Sequence, residues 1–309
     1  MLKKALIIGG FGFIGSELSK ECLKNNFEVT ILSRSKDKIS NIEEIKDKVG
    51  IIIKNLRDID EEVKGFDVIF NLSGSTDNYS IIEGAPYRDI ELNCINTIAL
   101  LEAIKKYNPK VRLVFASTFF VNGNQKKLPI SENSPCEPLG LYGATRLAAE
   151  HFCKIYHNVF DLDIVIARFT NVYGENEKGD NKKKAGFNFM IKQACDGKEI
   201  NLYNNGNFYR DYIHVNDAAK ACIVLEEKGK SNKVYYVGTG KFIKFKKLID
   251  EIVKNTGAKV NSITPPDFHK RVGIKDFVAD VSDLKKLGWK AEISYKEGIK
   301  RTIKYYKSM

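Results

Sequence analysis

The sequence predicts an α/β fold, a doubly wound parallel sheet with a smaller C-terminal lobe, and three observations carry that prediction. Short apolar, β-branched runs alternate with longer segments of helical period along the first half of the chain. The runs are nearly continuously apolar instead of alternating with polar residues, as in strands covered by helices on both faces. The first run ends in a glycine-rich turn, "IIGGFGFIGSEL", that opens a helix, the mark of a Rossmann-type sheet.

Taken in order, "KALIIGG" (4–10), "EVTILS" (28–33), "VGIIIKN" (49–55), "DVIFNLSG" (67–74), "RLVFAST" (112–118) and "DIVIARF" (163–169) are predicted as strands. The clearest helical segments between them are 15–25, 89–107 and 142–160. Residues 1–170 are therefore assigned to the sheet domain and 171–309 to the smaller lobe. Beyond 170 loop signals rise, as in "NVYGENEKGDNKKKAG", "NNGNFYRDY" and "ITPPDF". The segment from about 210 to 240 is expected to return to the sheet through a helix near 216–228 and the run "VYYVGTG" (234–240).

Composition narrows the classes of function. A chain of 309 residues is long enough for a large buried core. Its net charge of +11 comes from lysines scattered among acidic residues, which reads as a solvated surface and not a nucleic-acid interface. The densest basic run, "KGDNKKK" (178–184), reads as a loop. Six well-separated cysteines without a CxxC suit small buried side chains in a reducing cytoplasm. Four histidines with no HExxH and no Cys/His cluster give no metal site. The opening "MLKKALIIGG" superficially resembles a signal peptide, but its glycines fall at turn positions and no cleavage site follows. No run approaches the ~18 apolar residues of a membrane span.

In the glycine turn, Gly9, Gly12 and Gly15 are placed to make the tight bend, admit a pyrophosphate and let helix and strand pack closely, with Phe13 and Ile14 in the first turn. This makes the sheet domain a dinucleotide-binding one, for NAD or NADP. An acid ending the second strand would hold a ribose 2′-OH; Ser33 and Arg34 stand there instead, which leans towards the 2′-phosphate of NADP. Arg34 stacked on adenine or facing water is the alternative, and a tightly retained cofactor would point to NAD. Asn55 and Leu56 are expected to flank the adenine, and Leu72, Ser73 and Gly74 to let the backbone approach the dinucleotide.

Motif order carries a wider resemblance: the glycine turn, "NLSG", "LNCINTIALLEA", "VFASTFFVNG", "GLYGATRLAAE", "RFTNVYG", "GNFYRDYIHVND" and "LGW". In that order the chain resembles the extended short-chain dehydrogenase/reductase family, especially its NDP-sugar epimerase, dehydratase and reductase branch, over essentially its whole length. The resemblance implies that Thr118 bonds the reacting oxygen, Tyr142 is the catalytic acid/base and Asn93 an active-site asparagine. It also implies that Thr76, Phe119, Asn171, Arg210 and Arg271 line the sugar and diphosphate site of a substrate-binding lobe, and that helices 89–107 and 142–160 pair two copies through a four-helix bundle.

Arg146 stands where the family has lysine, four residues after Tyr142 and on the same helix face. A cation about 4 Å from a phenol contributes about 4 kcal/mol to its ionised form at an effective dielectric near 20, and arginine supplies that charge as lysine does. A guanidinium is planar and never gives up its proton, so it holds ribose hydroxyls without relaying protons. An ordinary surface pair is the alternative reading of Tyr142 and Arg146. Dehydratases of the family carry an Asp-Glu pair after the threonine; Phe119-Phe120 here can neither protonate nor deprotonate, which disfavours dehydration. What remains is oxidation or reduction at a sugar hydroxyl, C4 first, as an epimerase, dehydrogenase or reductase. A non-catalytic dinucleotide sensor is the alternative class. For Asp211 and Asp217, loop and helix-cap bonding is at least as good a reading as a ligand role.

Overall fold

The computed structural model describes residues 2–75, 85–180 and 186–309. Its sheet domain runs β1 (Lys3–Ile8), α1 (Phe13–Lys24), β2 (Phe27–Ser33), β3 (Gly50–Ile53), β4 (Val68–Asn71), α2 (Tyr87–Asp89), α3 (Asn96–Tyr107), β5 (Arg112–Thr118), α4 (Leu141–Phe160) and β6 (Ile164–Phe169). The remainder comprises β7 (Asn171–Tyr173), α5 (Gly186–Cys195), β8 (Ile200–Tyr203), β9 (Tyr212–His214), α6 (Val215–Lys228), β10 (Val234–Val237), α7 (Phe245–Thr256), β11 (Val260–Ile263), α8 (Asp267–Val272), α9 (Ser282–Lys286) and α10 (Tyr295–Lys307).

Seven strands form one parallel sheet in the order β10-β6-β5-β4-β1-β2-β3. The chain steps outward from β1 to β3, then crosses back to β4 on the other side, so the order reverses beside β1. Ligands of such sheets lie in that crevice, beyond the carboxyl ends of the strands. Strand alternation explains why both faces are apolar: Ala5 and Ile7 enter the core under α1 and α6 with Leu18, Cys22 and Leu225, whereas Leu6 and Ile8 enter the core under α3 and α4 with Leu100, Ile104 and Cys153. Every residue of β6 is buried, including Arg168.

Several boundaries moved. β3 ends at Ile53 and β4 at Asn71, so Asn55-Leu56 and Leu72-Ser73-Gly74 lie in the turns beyond their strands. The helix expected from 89 runs from Tyr87 and passes through a π-helical stretch, Ile90–Ile95, before α3. A wider turn of this kind inside a helix is frequent at functional sites, and it holds Asn93, which is fully buried.

β10 pairs with β6 as the seventh strand, with Val237 opposite Phe169, and α6 packs against α1. A separate apolar cluster, with Phe187, Ile191, Leu248, Ile252, Ile299 and Ile303, joins α5, α7 and α10. Two buried carboxylates fasten loops in the way expected of them. Asp211 accepts from Thr239 N (2.8 Å), Thr239 Oγ1 (2.7 Å), Gly240 N (2.9 Å) and Ala279 N (3.3 Å). Asp217 accepts from Glu292 N (3.2 Å) and Ile293 N (2.9 Å), while its carbonyl takes the Trp289 indole N–H at 3.2 Å.

Candidate active site

The glycine turn has the geometry its residues predict. Gly9 sits at φ +81°, which favours glycine, and its N–H donates to the Leu32 carbonyl at 2.9 Å while its carbonyl accepts from Gly12 N at 2.8 Å. A Cβ at Gly15 would be driven into the Gly9 carbonyl, so only hydrogen allows α1 to start this close to β1. α1 is capped by Gly12 without a side-chain bond, which leaves first-turn N–H groups to an anion. Phe13 and Ile14 open the helix, both partly buried.

Ser33 closes β2 and donates its Oγ to the Ser35 carbonyl at 3.0 Å; Arg34 is exposed beside it. Asn55 is exposed at the start of a short 3₁₀ turn, and Leu56 packs into the core on the α3 side. Leu72 N donates to the Ile8 carbonyl at 3.0 Å, bringing the segment after β4 against the segment after β1. A Cβ at Gly9 would meet Ser73 N at 3.2 Å, so the two turns touch backbone to backbone.

Four buried side chains from three elements converge past the ends of β4 and β5. Thr118, the last residue of β5, accepts from Phe120 N at 3.3 Å and starts the turn Phe119–Asn122. The Phe120 ring stands edge-on to Tyr142 in the first turn of α4, with centroids 5.7 Å apart. That turn thus packs against the first turn of α4, where a Cβ at Gly143 would meet the Phe120 carbonyl at 2.6 Å. Arg146, one helical turn on, donates Nη2 to the Ser73 carbonyl (2.8 Å) and Nη1 to the Ala116 carbonyl (3.2 Å). Its Nε is buried and has no acceptor among the described residues. Asn93 bridges the same elements, accepting from Ser75 N at 2.9 Å and donating to Thr145 Oγ1 at 2.9 Å. Tyr142 and Arg146 are both buried, so they are not a surface pair.

Behind these residues lies a polar network that sequence reasoning missed. Glu150, two turns beyond Tyr142, pairs with Arg168 of β6 at 2.6 Å and also accepts from Ser117 Oγ, next to Thr118. Arg168 donates to Tyr236 OH at 3.1 Å, which donates to Asn122 Oδ1 at 2.6 Å. A signal was present: Glu150 follows Tyr142 and Arg146 at helical spacing on the buried face, and Arg168 interrupts an apolar strand.

The residues expected to hold substrate are less gathered. Asn171 is partly buried and donates Nδ2 to the Asp211 carbonyl at 3.1 Å. Phe119 packs into an apolar cluster against Phe277, centroids 4.4 Å apart, so Phe120 is the ring that faces Tyr142. The Arg210 fork does not stand free for phosphate: it donates to the carbonyls of Ile274 and Lys275, with its guanidinium 4.7 Å from the Phe208 ring. Arg271 is exposed on α8, and Thr76 lies outside the described residues.

A model of the NAD dependent epimerase/dehydratase family matches residues 5–238. The chain belongs to this family. It is 31% identical over 309 residues to a putative UDP-glucose 4-epimerase of Methanocaldococcus jannaschii, with 98% of each chain covered. Its fold matches the UDP-N-acetylglucosamine 4-epimerase of Methanobrevibacter ruminantium, solved with UDP-N-acetylmuramic acid, at a TM-score of 0.91 and 27% identity over 99% of each chain. The UDP-glucuronic acid 4-epimerase of Bacillus cereus, solved with UDP-glucuronic acid and NAD, matches at 0.87 and 25% identity, again over 99% of each chain.

The dinucleotide named in the family's description fits the residues present. At Gly9 and Gly12 the turn is bare backbone, where added Cβ atoms would fall 3.0 to 3.3 Å from other main-chain atoms, and the buried Arg146 Nε has no acceptor among the described residues. Among the described residues, no helix is long and apolar enough to cross a membrane.

Proposed function

We propose that this protein is an NAD-dependent nucleotide-sugar 4-epimerase acting on UDP-sugars. The observation that carries the reading is the Phe119–Asn122 turn. It begins at Thr118 and places the Phe120 ring, not a carboxylate, beside Tyr142. Tyr142 takes the proton of the C4 hydroxyl and later returns it, and Thr118 Oγ1 bonds the same oxygen and holds it in place. NAD bound along the glycine turn supplies the hydride acceptor and donor. Gly12 and the first turn of α1 would hold its phosphates, Ser33, Arg34, Asn55 and Leu56 would lie about its adenosine, and Arg146 Nε would hold a ribose oxygen. Phe119 and Phe120, the two positions after the threonine, offer no acid to expel water, which separates the reaction from dehydration.

NAD is favoured over NADP, because the family's description names NAD and the Bacillus cereus relative was solved with it. The sheet domain holds the dinucleotide, and the lobe, through Asn171 and Arg271, holds the diphosphate and sugar. Tyr87, Ile90, Ile95 and Ile98 on one helix and Ile155, Val159 and Phe160 on α4 stand exposed, and they are the faces that pair in a homodimer. The six unpaired cysteines suit a reducing cytoplasm.

The test is to purify the protein without added cofactor, identify the dinucleotide released on denaturation, and follow UDP-glucose, UDP-N-acetylglucosamine and UDP-glucuronic acid by NMR. Retained NAD with interconversion of C4 epimers is expected. Formation of a 4-keto-6-deoxy sugar, or absence of any dinucleotide binding, would overturn the reading. Sedimentation as a monomer at micromolar concentration would remove the dimer.

A further inference from the structure

Gly74 and Arg146 occupy each other's space. A Cβ at Gly74 would fall 2.6 Å from Asn93 Oδ1 and 2.7 Å from Arg146 Cζ, and nearer still to Nη2. Arg146 has little room to yield. Its two terminal nitrogens are held by the carbonyls of Ser73 and Ala116, and its guanidinium lies 5.8 Å from the Phe115 ring centroid. Asn93 is no freer, being bonded to Ser75 N and Thr145 Oγ1 and lying within the π-helical stretch. The guanidinium thus fills the place of a side chain at 74 and fastens the segment after β4 to the end of β5.

We propose that Gly74, Arg146 and Asn93 form one positioning unit, in which the missing side chain at 74 lets an arginine brace the crevice between β4 and β5 and set its width for the dinucleotide. A lysine at 146 would span this gap poorly, because one nitrogen cannot reach two carbonyls in the fixed fork geometry of a guanidinium. Arg146 acts here by holding the main chain around Ser73, the segment that touches the Gly9 turn, and its charge does not need to move. The inference rests on the reading of this crevice as the dinucleotide site.

Four proteins test it: unmodified, G74A, R146K and G74A/R146K, each freed of retained dinucleotide, then titrated with NADH by fluorescence and melted without ligand. In the arginine background G74A is expected to weaken NADH binding by about tenfold or more, because the methyl displaces a guanidinium that cannot retreat. In the R146K background the same methyl is expected to cost less than about threefold, since lysine lacks the overlapping Nη2 and its chain can rotate aside. Equal losses in both backgrounds would reduce Gly74 to a backbone requirement at φ +140° and overturn the unit, as would no loss in either. If G74A does not fold, recovery of folded protein in the double variant reads the same coupling, and failure to recover overturns it. If the unmodified protein does not bind NADH, the functional reading falls instead. The coupling is then judged by the four melting temperatures, where additive shifts overturn it.

Discussion

Arg168 and Glu150 are locked together inside the protein, Nη2 to Oε2 at 2.6 Å and Nε to Oε1 at 2.8 Å, with both side chains almost sealed from water. Burial works against the guanidinium's charge, and the hydrogen bonds and charge of Glu150 outweigh it, so the arginine is held above its ordinary range. R168M would leave Glu150 buried without its cation and is expected to cost about 3–5 kcal/mol, read as a lowered urea midpoint. E150L/R168M, which removes both charges, should cost clearly less.

Tyr142 and Thr118 touch the reacting oxygen in the proposed mechanism, so their loss should fall on turnover more than on binding. Y142F is expected to lower kcat by about 10²–10⁴-fold with NADH affinity nearly unchanged. T118V should lower kcat less, since it removes a hydrogen bond and leaves the acid/base in place. Steady-state kinetics alongside NADH titration check both.

Gly15 is where the first helix meets the first strand. G15A would push a methyl into the Gly9 carbonyl and spread the turn, so NADH binding should be lost or weakened by about a hundredfold, on the order of 3 kcal/mol. G257A, at a helix end with open space around it, is the matched control and should leave binding intact.

Much of the fold was legible because parallel strands covered on both faces read as apolar blocks; "DIVIARF" marked β6 to within a residue. The glycine turn was legible because its spacing is dictated by backbone contact. The small pairings were not: β7 and β9 are three-residue strands joined in parallel, too short and too mixed to leave a period. Glu150 and Arg168 were hidden because charged residues read as surface until a partner is seen. Arg210 reads in sequence as a phosphate clamp, and only coordinates show its fork spent on the Ile274 and Lys275 carbonyls.

Glu175 gives a pH dependence with a definite sign. Burial alone would raise its carboxyl, but His214, its Nε2 2.9 Å from Oε2, and Arg301, its Nε 2.9 Å from Oε1, outweigh that and hold the carboxyl at about 2. A group depressed from an ordinary value of 4.5 stabilises the fold above that pH and loses the contribution as pH falls from there towards about 2. Glu17, raised by burial, runs in the opposite sense. E175Q should therefore flatten the fall in urea midpoint that is expected of the unmodified protein between about pH 5 and pH 3. An unchanged slope would remove Glu175 from the acid response.

The pairing of β6 with β10 shapes how the chain must be made. Six strands of the sheet are complete by Phe169, yet the partner of β6 on its outer side begins only at Val234. During synthesis at about 5–20 residues per second, an apolar strand with an unpaired edge therefore waits several seconds for its neighbour. Open edges of that kind recruit other chains. Nascent chains stalled between these points carry that open edge, a surface that a ribosome-bound chaperone could cover.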